Sequence, residues 1–151
     1  VLIAWKYLDK QQATLNALGD YKNMAAIIEI TPTEIKNIKD DMSSPRSSNY
    51  DGMPHTRDPQ SGENILCSVI DKSDVLRNRY QQAVEFMSWF NPAWLELNDE
   101  ERLILEEFYM REGSKTNALE NICELLHIER AQIYRRKDKA LNRLTIFLYG
   151  A

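Results

Sequence analysis

The chain has 151 residues, of which 43% are apolar and 28% charged, with formal net charge −4. That balance suits one globular domain or two very small ones, and no apolar run approaches the length needed to cross a bilayer, which excludes a membrane span. Cys67, Cys123, His55 and His127 stand far apart, which excludes a four-ligand zinc site and a disulfide framework. No cofactor or metal is expected, and a reducing cytoplasm is the expected compartment.

The opening VLIAWKYLDK is apolar, but polar residues follow at once and no small-residue cleavage site appears, so it does not read as a signal peptide. Ile3, Tyr7, Leu8, Leu15, Leu18 and Ala25 recur at mostly helical spacing, which predicts a helix over 3–29, either packed into a core or serving as a dimer arm. Thr31-Pro32-Thr33-Glu34 has the form of a fresh helix start: a capping Thr, a Pro at the first helical position and an acidic residue that closes a capping box. Ile35, Ile38 and Met42 then share one face of a short second helix that ends by Ser43. Residues 1–42 are thus read as N-terminal helices.

Residues 43–64, SSPRSSNYDGMPHTRDPQSGEN, hold three prolines, two glycines and five serines with no periodicity, and read as a linker or long loop. Asp51, His55 and Asp58 fit no metal-ligand spacing. Ser48, His55 and Asp58 share that loop, but a flexible loop does not preorganise a catalytic triad. Over 65–92 a long amphipathic helix is predicted. Ile65, Val69, Leu76, Tyr80, Ala83, Met87 and Phe90 form its apolar stripe, and Asn91-Pro92 ends it. Such a stripe packs into a core or forms a dimer seam.

The final region is 93–151, and its first helix follows the aromatic joint Trp89, Phe90 and Trp94. A helix starts at Asn98, with Asp99, Glu100 and Glu101 complementing its dipole and Leu103, Ile104, Phe108 and Met110 inward. Glu112-Gly113-Ser114 closes it. A short helix over Asn117–Leu126 turns Leu119, Ile122, Cys123 and Leu126 inward, and His127-Ile128-Glu129 connects it to a longer helix over Arg130–Leu148. The inward residues of that helix are Ile133, Ala140, Leu141, Leu144 and Leu148. Two helices on a three-residue turn are the frame of a helix-turn-helix.

Charge supports a nucleic-acid reading of this segment. Residues 118–151 carry six basic and four acidic side chains, whereas the rest of the chain is acidic. All six basic groups fall between Arg130 and Arg143. The major groove admits one helix, where Arg pairs with guanine and Gln with adenine. Arg130, Gln132, Tyr134 and Arg135 are therefore the candidates for base readout. Arg136, Lys137, Lys139 and Arg143 are the candidates for phosphate contact. The competing reading is a solvated basic helix on a bundle.

The run LNDEERLILEEFYM followed by ALENICELLHIERAQIYRRKDKALNRL resembles the domain of sigma factors that reads the −35 promoter element, with matches at Leu97, Glu101, Arg102, Leu105, Ile122, Leu126, Ile128, Ile133, Ala140, Leu141 and Leu144. The wider layout is similar to phage late-transcription regulators of the RinA and ArpU type. The SSNYDGMPH loop and the YRRKDKALNRLTIFLYG ending carry that likeness, and the first 42 residues share only helical character. The resemblance implies a phage- or prophage-encoded activator of late genes that works in a bacterial cytoplasm without enzymatic activity. Two positions depart from the pattern: His127 stands where the turn usually has a small residue, and Glu129 stands where the helix cap usually has Ser or Thr.

The expectation is an all-α, sequence-specific regulator of double-stranded DNA that pairs as a homodimer, with RNA polymerase as a further candidate partner. The alternatives are a DNA-packaging recognition subunit of the small-terminase kind and a helical interaction module that does not bind DNA. No Gly-rich phosphate loop, nucleophile elbow or metal cluster points to an enzyme.

Overall fold

The computed structural model describes residues 8–43 and 59–150, together with the side chains of these residues except 59–61. Among the described residues every regular element is helical: α1 (Lys10–Ser43), α2 (Pro59–Leu95), α3 (Asp99–Leu105), α4 (Lys115–Leu126) and α5 (Arg130–Tyr149). α3 runs on into a π-helical turn over Glu106–Met110. The protein is all-α, as the 3.6-residue periodicity predicts. No helix among the described residues is long and apolar enough to cross a membrane, and no group of His, Cys, Asp and Glu among them could hold a metal ion. The loop residues Ser48, Asp51, His55 and Asp58 lie outside the described residues.

Three of the boundaries that differ from the sequence expectation involve proline. α1 does not break at Thr31-Pro32 but carries Pro32 in its interior. α2 carries Pro92 in the same way and runs to Leu95. It also begins at Pro59, so the expected loop over 43–64 gives up its last six positions to helix. A proline in a helix interior removes one hydrogen bond and costs about 3 kcal/mol. Packing outweighs that cost at Pro92: Phe90, Ala93 and Trp94 on either side of it are 0%, 7% and 7% exposed, and burying a large apolar side chain contributes about 1.5–3 kcal/mol each. At Thr31 the side chain does not cap its own helix. It is fully buried and accepts a hydrogen bond from Arg79 Nη2 at 3.2 Å.

Backbone packing divides the chain into two units, and α1 and α2 each contribute to both. One consists of Val1–Ala25 and Glu85–Ala151. Its larger core joins Leu18 of α1, Phe90, Ala93 and Trp94 of α2, Leu97, Leu105 of α3, and Ala140, Leu141, Leu144 and Leu148 of α5. The joint is aromatic. Phe90 lies 5.2 Å from Tyr21, 5.6 Å from Phe86 and 5.8 Å from Trp94 by ring centroids, and Trp89 meets Tyr149 edge-on at 5.5 Å. Burial pushes the Tyr149 phenol above its ordinary pKa. A second core joins Ile104 and Phe108 to Leu119, Ile122 and Ile133, with Cys123, Leu126 and Ile128 packed against it. This core welds α4 and α5 to α3 and sets the pose of the basic helix.

The other unit, Ala26–Val84, is a two-helix hairpin. Arg79 reaches Thr31 and pairs with Glu34, while Ile38 and Met42 share a groove with Ile65, Leu66 and Val69, so the two helices run antiparallel. Its interior is thin. Among its described residues only Thr31 and Ala83 are buried, and Ile30, Leu66, Ile70 and Val75 are 46–65% exposed.

Candidate nucleic-acid interface

α4 starts two residues before the sequence expectation. Ser114 is its N-cap, with the side-chain oxygen accepting from Asn117 N–H at 3.2 Å. α4 ends at His127, which adopts a left-handed backbone with φ 52° and ψ 42°. This is the non-glycine position with positive φ among the described residues, and His tolerates the region better than most side chains do. The chain then turns through Ile128, which packs into the second core. Glu129 is the N-cap of α5, in extended conformation and without a side-chain capping bond. Its carbonyl accepts from Gln132 and Ile133 N–H at 3.0 and 3.2 Å. Both departures noted in the sequence are thus accommodated, one by a left-handed residue and one by a cap that offers only its backbone.

On α5 the inward set is as expected: Ile133, Ala140, Leu141, Leu144 and Leu148 are all buried. The opposite face presents Gln132, Arg135 and Lys139, spaced three and four residues apart and exposed. Arg135 and Lys139 form no ion pair among the described residues. Arg130, at the helix start, is also exposed and lies 3.6 Å from Glu120 of α4. Tyr134 is exposed at its edge but anchored: its ring lies 6.2 Å from Phe108, and Lys137 Nζ sits 5.3 Å from the Tyr134 centroid and 5.4 Å from that of Phe108. The four base-readout candidates therefore all reach solvent on or beside one end of one helix.

The phosphate-contact candidates divide differently. Lys139 is exposed. Lys137 is mostly covered, wedged against the two rings and 3.5 Å from Asp138. Arg136 pairs with Glu100, and Arg143 donates to both carboxylate oxygens of Glu101 at 3.2 and 3.0 Å. The acidic first turn of α3 is more than a complement to its own dipole. It is the counter-charge of the basic helix. Sequence reading sees an acidic triplet and a basic stripe some 36–42 positions apart, and nothing local in either run says that they meet.

Glu101 has a second task. One of its oxygens accepts from Asn98 N–H at 3.0 Å, so it caps α3 while holding Arg143. Glu107, on the π-helical turn, pairs with Arg111, and that hydrogen bond together with the carboxylate charge raises the Arg111 pKa further. No family model, no curated protein and no solved structure matches the chain.

Proposed function

We propose that the chain is a sequence-specific regulator that binds double-stranded DNA through α5, an activator of phage or prophage late genes of the kind its sequence resembles. One observation carries this reading: Gln132, Arg135 and Lys139 project from one exposed face of a helix whose other face is locked into two hydrophobic cores. A rigid helix of this kind fits the major groove. Arg135 and Gln132 have the donor geometry for guanine and adenine edges, and Lys139 has the point charge for a phosphate. The chain pairs as a homodimer, because a single helix reads too few base pairs for a unique site. The exposed apolar residues of the Ala26–Val84 hairpin support that pairing. RNA polymerase is the further partner of an activator, the bacterial cytoplasm is its setting, and no catalysis is involved.

A second reading has its own support. Four of the six basic groups of the C-terminal segment, Arg130, Arg136, Lys137 and Arg143, lie in intramolecular ion pairs. A helix neutralised in this way suits a protein-interaction module. Selection from a random duplex pool, followed by sequencing of the bound fraction, separates the two. An enriched motif establishes DNA reading, and an unenriched pool with no retained duplex establishes the interaction module.

A further inference from the structure

Glu100 and Glu101 are neighbours on α3 and each holds one arginine of α5, yet the two pairs are built differently. Glu101 is 15% exposed at its side chain, meets Arg143 with both oxygens and caps its own helix. That pair is part of the frame. Glu100 is 40% exposed and its partner Arg136 is 43% exposed. Glu100 has no second bond among the described residues. An open pair of this kind contributes little to stability and exchanges readily with other ions.

Asn98, Glu100, Glu101, Ile104, Arg136 and Lys139 line one cleft between the start of α3 and the flank of α5. Lys139 has no ion pair there. Arg136 lies one residue from Arg135 and three from Lys139, beside the exposed face described above. A DNA strand that follows this face meets Arg136 as its next cation, but finds it already engaged.

We propose that Glu100 is a built-in competitor for DNA phosphate, holding Arg136 in reserve and so limiting the non-specific affinity of the helix; this rests on the DNA-binding reading of α5. The competition is between one carboxylate and one phosphate for the same guanidinium. A backbone contact adds affinity to every sequence alike, so withholding one weakens specific and non-specific binding by the same factor, leaves their ratio unchanged and shortens the time spent on unrelated duplex. Glu100 acts through Arg136 and touches no base, so it is a positioning residue.

The test measures binding of the full chain to a duplex selected from a random pool and to an unrelated duplex of equal length, across a salt series. Four proteins are compared: wild type, Glu100→Gln, Arg136→Ala and the double variant. Glu100→Gln is expected to bind both duplexes severalfold more tightly and to steepen the slope of log K against log salt by about 0.9, one added phosphate contact. The gain should vanish in the Arg136→Ala background. Glu106→Gln, which removes the same charge from an exposed position on the π-helical turn, should leave the slope unchanged, and thermal unfolding shows whether each variant keeps the fold. An equal gain with or without Arg136, or from Glu106→Gln, makes the effect one of net charge and overturns the proposal. So does an unchanged slope in a folded Glu100→Gln while the wild type binds. If the wild type retains neither duplex, the DNA reading fails and the proposal falls with it.

Discussion

Arg143 forks one guanidinium nitrogen across both carboxylate oxygens of Glu101, at 3.2 and 3.0 Å, and ties the middle of α5 to the first turn of α3. The same carboxylate accepts from Asn98 N–H, so one side chain couples a helix start to the docking of another helix. The Arg143 guanidinium also lies over the Phe147 ring, 5.5 Å from its centroid. Arg143 is thus a strut of the fold, and the expectation that it contacts phosphate would require it to leave Glu101.

Glu101→Ala removes the cap and the pair together. A lost cap costs about 1 kcal/mol, and a half-exposed pair adds at most about 1 kcal/mol after solvent screening. The expected loss is about 1–2 kcal/mol, read as a lower midpoint in chemical denaturation at unchanged slope. A neutral result would mean that Arg143 and the helix start are held by packing alone.

Pro32 offers the opposite kind of change. It is exposed and stands inside α1, where it denies the helix one hydrogen bond. Pro32→Ala restores the donor, worth about 3 kcal/mol in a helix interior, and gives back about 0.4–1 kcal/mol through a looser unfolded chain. A net gain of about 2 kcal/mol in unfolding free energy is expected. A destabilised variant would show that the break at this proline is needed by the fold.

Proline also marks where the sequence was legible and where it was not. Apolar spacing names the buried faces of α4 and α5 correctly, because Ile122, Ile133, Leu141 and Leu144 repeat at helical intervals and each has only one way to be buried. Thr31-Pro32 and Asn91-Pro92 were misleading for the same physical reason. The local signal for a helix end is real, but Phe90 and Trp94, or Arg79 reaching Thr31, supply tertiary energy that no local window contains. The exposed face of α5 that carries Gln132, Arg135 and Lys139 was legible from residue type and period. The engagement of Arg136 and Arg143 was not, since it depends on which helix lies beside them.

His127 holds the turn between α4 and α5 in the left-handed region. For a side chain with a Cβ that conformation costs about 1–2 kcal/mol, and glycine adopts it freely. His127→Gly is expected to raise stability by up to about 1 kcal/mol after the extra entropy of the unfolded glycine is counted. His127→Val, β-branched, should lower it. Equal stabilities of the three proteins in thermal unfolding would place the turn in another conformation in solution.

The hairpin Ala26–Val84 leaves Ile70 50% and Val75 65% exposed. Exposed apolar side chains along a helix are expected to be covered in a dimer. Sedimentation equilibrium over a dilution series should show a monomer–dimer equilibrium, and Ile70→Lys should shift it towards monomer while helicity by circular dichroism stays unchanged. A wild type that is monomeric across the series removes the dimer from the proposed function.

The last expectation separates reading from holding on α5. Arg135 is exposed and unpaired on the face that would enter the groove, so Arg135→Ala should cost about 1–3 kcal/mol on the selected site and relax preference at one base pair. Gln132→Ala should relax preference at a neighbouring pair, because its amide is placed one turn nearer the helix start. Lys139→Ala should weaken binding to all duplexes alike and flatten the salt slope by about 0.9. Arg143→Ala should instead lower stability, since its partner is Glu101. Lys137→Ala should disturb Tyr134, whose ring it braces against Phe108. A helix that merely packs would leave DNA affinity and salt slope unmoved by the first three changes. Should Arg135→Ala keep both its affinity and its sequence preference in a folded protein, α5 is not the reading head.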